Sequence, residues 1–272
     1  MFGAKYLGLI FPNWNWGSHF TINRLAYQLL AQESKKKKLF NLKSIFPTWN
    51  QINIYEGLNG ADGLWLEGKL NSSTMHYNPI NGQGEAPQGI KKNFLLLAKI
   101  ISKKRNPLII VRASRRAAFL SHLIADVLNP PHHFGRYDNF MVRYWWWLIR
   151  SDWREEGIVG IKKGISLEYY HRKFEIKMLY KLIHAHFGKS QIFYDFIKKY
   201  QADKNRNPLF IHNAIIEQII KVYKLQIYRY FIKHNWNKKI ENVLAEQIIP
   251  LMISWVATYW FLAILEAKKI KL

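Results

Sequence analysis

Cysteine is absent from the 272 residues. This excludes disulfides, iron–sulfur clusters and thiolate zinc sites, so any metal must be held by His, Asp, Glu or a chain terminus. Acidic residues are scarce: 18 Asp and Glu stand against 41 Lys and Arg, a formal charge of +23. That imbalance excludes an acidic buffering protein and creates a positive field that concentrates anions such as phosphodiesters or acidic lipid head groups. Alternating strand patterns are few, and neither an internal repeat nor a domain linker stands out. What is abundant is apolar and aromatic, with 49% apolar residues including 11 Trp, 15 Tyr and 16 Phe. A core built from these offsets the entropy of ordering the chain, which excludes intrinsic disorder.

Helical periodicity organises the rest. From Thr21, the residues Ile22, Leu25, Ala26, Leu29 and Leu30 recur at helical spacing and run into Lys35 to Lys38. Four like charges in a row read as a solvated helix end or loop. Residues 57–90 are rich in Gly, Asn, Ser and Pro and read as a long functional loop. Helical patterns resume at about 90–103 and 114–128, the second stopped by Pro130 and Pro131. Further helices are predicted at 138–150, 166–187, 190–201, 208–234 and 240–268. The expectation is an all-α fold, a single multi-helix domain over residues 14–272 preceded by a short leader or N-terminal extension at 1–13. The apolar run Tyr6 to Phe11 lacks the length and the small-residue cleavage site of a secretory peptide. Ile248 to Leu265 is uncharged and reaches the lower length limit for a membrane span, but Pro250, Ser254, Thr258 and Tyr259 favour a buried terminal helix.

The strongest chemical signal is His122-Leu-Ile-Ala-Asp126-Val-Leu-Asn-Pro-Pro-His132. On a helix, His122 and Asp126 lie one turn apart on the same face and can hold one ion, and the prolines turn the chain so that His132 restarts nearby. The short H-x3-D pattern alone is equally an ordinary surface pair, so the remaining His and Asp residues must decide. Trp14 lies five residues before His19, which opens an amphipathic helix. Gly60-Ala-Asp62 precedes His76 by fourteen residues, followed by Tyr77-Asn-Pro79 and Asn81-Gly82, and Tyr137-Asp138-Asn139-Phe140 adds a further carboxylate.

Together these pieces resemble the zinc-dependent phospholipase C and single-strand nuclease superfamily, helical phosphodiesterases with a trinuclear zinc cluster. The resemblance covers most of residues 14 to 140, with a looser likeness in the C-terminal helices. It implies two or three zinc ions. Asp62, His76, His122 and Asp126 would form one site. His19 and Asp126 would help hold a second, with Asp126 bridging and Trp14 contributing as an N-terminal ligand after processing. His132, Asp138 and His133 would form the third. Two features depart from the family pattern. The family's last zinc is held by a His and a Glu at i, i+4 after a loop, whereas His133 follows His132 directly and lies five residues before Asp138, about 500° of helix, which does not align the two side chains. Thirteen residues also precede Trp14, so native protein would have to begin at Trp14 for its amine to bind metal.

Other groups read more simply. His184 and His186, at i, i+2, point to different faces, and His171, His212 and His234 are read as lacking a carboxylate at ligand spacing. Tyr144 to Trp147 with Trp153 form an aromatic cluster that fits a core or a lipid interface. Arg112, Arg115 and Arg116 can line the approach of an anionic substrate or form a solvated helix face. The resemblance therefore implies a phosphodiester hydrolase, most closely a phospholipase C acting on phospholipid head groups, with Asp62 and Asp126 as catalytic residues. The alternatives are a single-strand-preferring nuclease of the same fold, and a non-catalytic basic helical protein that binds nucleic acid or a membrane surface. By the same resemblance the protein would be secreted or membrane-associated.

Overall fold

The computed structural model describes residues 18–36, 40–67, 69–70, 72–133, 173–178, 181–182, 190–202 and 208–268. Capping side chains set where several helices begin. The longest, α6, starts where Asn106 accepts the Ile109 N–H at 2.9 Å and Pro107 takes the first helical position, whose missing N–H would have had no intrahelical partner. In chain order the described helices are α1 (Ser18–Lys36), α2 (Leu42–Ile45), α3 (Trp49–Asn53), α4 (Ala61–Leu66), α5 (Ala86–Ile101) and α6 (Pro107–Val127). Then follow α7 (Ser190–Ala202), α8 (Pro208–Lys224), α9 (Ile227–His234), α10 (Lys238–Val243) and α11 (Ile249–Lys268), with residues 173–178 also helical. Among the described residues there is no strand, and the fold is all-α.

Several boundaries depart from the sequence reading for local reasons. Residues 57–90 are not one long loop: short 3-10 turns at Gly57–Asn59 and Ser72–Met75, and α4 between them, give it local structure. The stretch predicted as one helix over 208–234 breaks between α8 and α9, where Gln226 takes a left-handed φ of 52°. The predicted 240–268 helix runs unbroken from Lys238 to Lys268 but widens at a π-turn, Leu244–Ile248, in which the Ile249 N–H reaches back to the Leu244 carbonyl just before Pro250. Pro250 brings no N–H to the ladder, so the wider turn falls where a regular helix would lose a bond. The predicted helix over 138–150 and the aromatic cluster at 144–147 and 153 lie outside the described residues, as do 166–172 at the start of the 166–187 helix.

The middle of the fold is α11. The continuous stretch Lys238–Lys268 is long and apolar enough to cross a membrane, yet 89% of its apolar window is buried inside the protein. It packs against α1, α5, α6 and α7. Trp260 fixes it to the site-bearing helix by donating its indole N–H to the Ala117 carbonyl at 3.2 Å, and Tyr259 donates to the Ile211 carbonyl at 2.7 Å. Rings close the layer on either side, with Phe46 against Trp260 at 5.6 Å and Phe193 against Phe261 at 5.2 Å. Each such aromatic ring, fully buried, contributes about 1.5–3 kcal/mol through burial alone. Helix α6 is thereby held between α11 on one side and α1, α3 and α5 on others, and its C-terminal turns are sealed from water.

Candidate metal centre

His122 and Asp126 occupy the last two turns of α6, and both are fully buried. Their i, i+4 spacing brings the His122 Nε2 to 3.3 Å from Asp126 Oδ2. The helix then tightens into the Pro130–His133 3-10 turn, with the Asn129 N–H donating to the Asp126 carbonyl and the His132 N–H to the Asn129 carbonyl, both at 2.9 Å. That reversal returns His132 to the cluster, its Nε2 3.8 Å from Asp126 Oδ1. From the first turn of α1, His19 places its Nε2 3.3 Å from the same oxygen, and its ring stacks on His122 with centroids 4.0 Å apart. Asp62, in the first turn of α4, lies 3.8 Å from His122 Nε2. His76 sets its ring edge-on to His132 at 4.6 Å. Gly84 lets the chain close against the backbone of His76: it sits at φ 111°, and a Cβ there would come within 2.2 Å of the His76 carbonyl oxygen.

Two glutamates stand behind these groups. Glu56, buried, receives the His122 Nδ1 at 3.1 Å, the Asn23 amide at 2.8 Å and the Ser121 hydroxyl at 3.3 Å. Asn23 is itself tied to Asn53 at 3.0 Å, so α1, α3 and α6 all converge on one carboxylate. A carboxylate on Nδ1 keeps the proton on that nitrogen and turns Nε2 toward Asp126 and Asp62. Glu175, in the 173–178 helix, accepts from Asn129 at 3.1 Å and lies 3.4 Å from His132 Nε2.

The electrostatics follow from burial and partners. Burial opposes a charge on His122, but Asp126, Asp62 and Glu56 together outweigh it and hold the imidazole pKa well above its ordinary value. Burial likewise works against the Asp126 carboxylate, and the surrounding His132, His122 and His19 keep its pKa well below the usual range. For His132 and His133 burial wins and lowers each to about 4. The centre is therefore an anionic carboxylate enclosed by imidazoles. His19 Nδ1 is buried without a hydrogen-bond partner, and leaving such an atom unsatisfied costs about 1–3 kcal/mol. Ligand atoms of His19, Glu56 and His122 lie within 4.8 Å of one another, so this buried group could bind a metal ion.

No family model, curated protein or solved structure matches the chain. The site is therefore described from its own geometry.

Of the residues singled out in sequence, His19, Asp62, His122, Asp126 and His132 share one buried cluster, with His76 at its edge. Trp14 and Asp138 lie outside the described residues. His133 follows on the same 3-10 turn, its Nε2 donating to the Val127 carbonyl at 2.7 Å and its ring 6.3 Å from that of Tyr223. Besides Asp126, the carboxylate of Glu175 lies beside His132. A signal for it was present: His171 precedes Glu175 by four residues, the same one-turn spacing as His122 and Asp126, so the reading of His171 as lacking a carboxylate is corrected. His171 itself lies outside the described residues. Glu56 carries no comparable signal, since only packing across α1, α3 and α6 brings it to His122.

Proposed function

We propose that the chain is a zinc-dependent phosphodiester hydrolase with the fold of the phospholipase C and single-strand nuclease superfamily, acting on phospholipid head groups. One observation carries this reading: Asp126 divides its oxygens, Oδ1 toward His19 and His132 and Oδ2 toward His122, inside a cluster of nitrogen and oxygen donors in the family's order. A carboxylate placed that way is suited to bridge two ions. The separations fit zinc, since donor atoms each about 2.0–2.1 Å from one tetrahedral ion stand about 3.3 Å apart. His19 and His122 both stand 3.3 Å from Asp126.

Bound there, zinc would neutralise phosphate oxygens, acidify a water so that it attacks near neutral pH, and stabilise the leaving oxygen. The chain's own groups do the rest. Glu56 fixes the His122 tautomer, and Asp126 supplies the shared negative charge. Asp62, buried beside His122 Nε2, is placed to orient the attacking water and accept its proton. His132 and Glu175, 3.4 Å apart, supply a further pair of donors for the third site.

The +23 charge attracts nucleic acids and acidic membranes alike, so the choice of lipid rests on the Asp62 to Gly82 segment, which looks closer to the phospholipase branch than to the nuclease branch. The apolar run at 248–265 adds nothing to that choice, because it is core. The test is hydrolysis of phosphatidylcholine vesicles and of single-stranded DNA in parallel, with and without a chelator. Chelator-sensitive cleavage of lipid supports the proposal, and cleavage of DNA alone selects the nuclease. Zinc-loaded protein that cuts neither, while still binding one of them, is the non-catalytic alternative.

A further inference from the structure

Helices α5 and α6 form an antiparallel hairpin joined by residues 102–106. On α6, Leu108, Val111, Arg112 and Arg115 fall at i, i+3, i+4 and i+7 and share an exposed stripe. Lys92, Leu95 and Lys99 form the matching exposed stripe on α5. Arg116 donates to Asn93 at 3.1 Å across the hairpin, a register that sets Leu95 level with the turn carrying Val111 and Arg115. Leu95, Leu108 and Val111 are 42%, 55% and 46% exposed. Scattered exposed aliphatic residues are ordinary, but Leu108 and Val111 share one stripe with Arg112 and Arg115, and from residue 86 to 125 the chain holds nine Lys and Arg and no Asp or Glu.

We propose that this face of the α5–α6 hairpin docks on an anionic lipid bilayer. Lysine and arginine side chains pair with acidic head groups, while aliphatic side chains between them enter the layer beneath. A single-stranded nucleic acid would be met instead by exposed rings that stack on bases, and neither stripe carries one. Val111, Arg115 and His122 are separated by four and seven residues and lie on nearly one line along α6, so the exposed stripe and the buried cluster are carried by the same helix. The choice of lipid over other polyanions rests on the phospholipase reading.

The experiment is sedimentation of the full chain with phosphatidylcholine vesicles, with and without phosphatidylserine, for the wild type, L108D/V111D and R112E/R115E. The expected result is phosphatidylserine-dependent binding that weakens with added salt and falls about tenfold or more in each double variant, with the thermal midpoint unchanged. Turnover of a monomeric short-chain phosphatidylcholine is followed in parallel and is expected to be unchanged in L108D/V111D. Equal vesicle binding by wild type and both variants overturns the proposal. So does binding without dependence on phosphatidylserine, or a response to R112E/R115E alone accompanied by tighter binding of a single-stranded oligonucleotide. A wild type that binds vesicles through this face but fails to hydrolyse the short-chain lipid defeats the phospholipase reading and leaves the docking surface standing.

Discussion

The Nδ1 of His122 lies 3.1 Å from the Oε2 of Glu56, and neither side chain is exposed to solvent, although the two residues are 66 positions apart. This contact decides which nitrogen of His122 faces the metal centre. Glu56→Gln preserves shape but removes the charge that holds the Nδ1 proton. We predict a loss of metal affinity of about 10–100-fold with the helical fold retained, measured by competition against a chelating dye and by circular dichroism. Glu56→Ala leaves a buried imidazole, Asn23 and Ser121 without their acceptor and is expected to cost about 3–5 kcal/mol of stability in the metal-free protein.

Asp126→Asn tests the shared ligand. The substitution keeps the hydrogen-bonding volume and removes the negative charge between the imidazoles. Metal content by atomic emission should fall, and turnover of the phosphodiester should fall by at least about a hundredfold. Full activity in this variant would mean that Asp126 is not part of the reaction centre.

The pair His171 and Glu175 gives a separate prediction. If both hold the ion next to His132, then Glu175→Gln and His171→Ala should each lower zinc stoichiometry by about one ion and leave the pair of sites at Asp126 filled. His133→Ala should leave stoichiometry unchanged, because its Nε2 is committed to the Val127 carbonyl. Loss of the same ion in His133→Ala and not in Glu175→Gln would restore the original assignment.

Much of this was legible in sequence where spacing and period carry the information. The H-x3-D-x5-H run places three cluster residues correctly because a helix end and a proline turn are local events. The left-handed Gln226 and the short α4 were hidden, since neither a lone Gln nor Ala61 to Leu66 has a strong local signature. Glu56 was hidden for a different reason, as its partners come from two helices, α1 and α6, and meet only in the packed fold. Glu175 carries a local signal in its one-turn spacing from His171, but its contact with His132, 43 positions away, forms only in the packed fold.

The core makes its own prediction. Trp260 is fully buried and donates to the Ala117 carbonyl on α6, so it both fills volume and fixes the helix that carries His122 and Asp126. Trp260→Ala should cost about 3–5 kcal/mol. Thermal unfolding in a chelator, where metal binding adds nothing to the folded state, is the appropriate measurement. A midpoint within experimental error of the wild type would show that α11 does not support α6 in this way.

The central claim is that the buried cluster around Asp126 is a zinc centre, and an anomalous-difference map collected at the zinc edge from crystals of the full chain tests it most directly. The account predicts strong peaks beside Asp126 within bonding distance of His19 and His122, lost in crystals of Asp126→Asn. Zinc-soaked crystals with no anomalous peak at Asp126, or with zinc bound only at surface histidines, would contradict it.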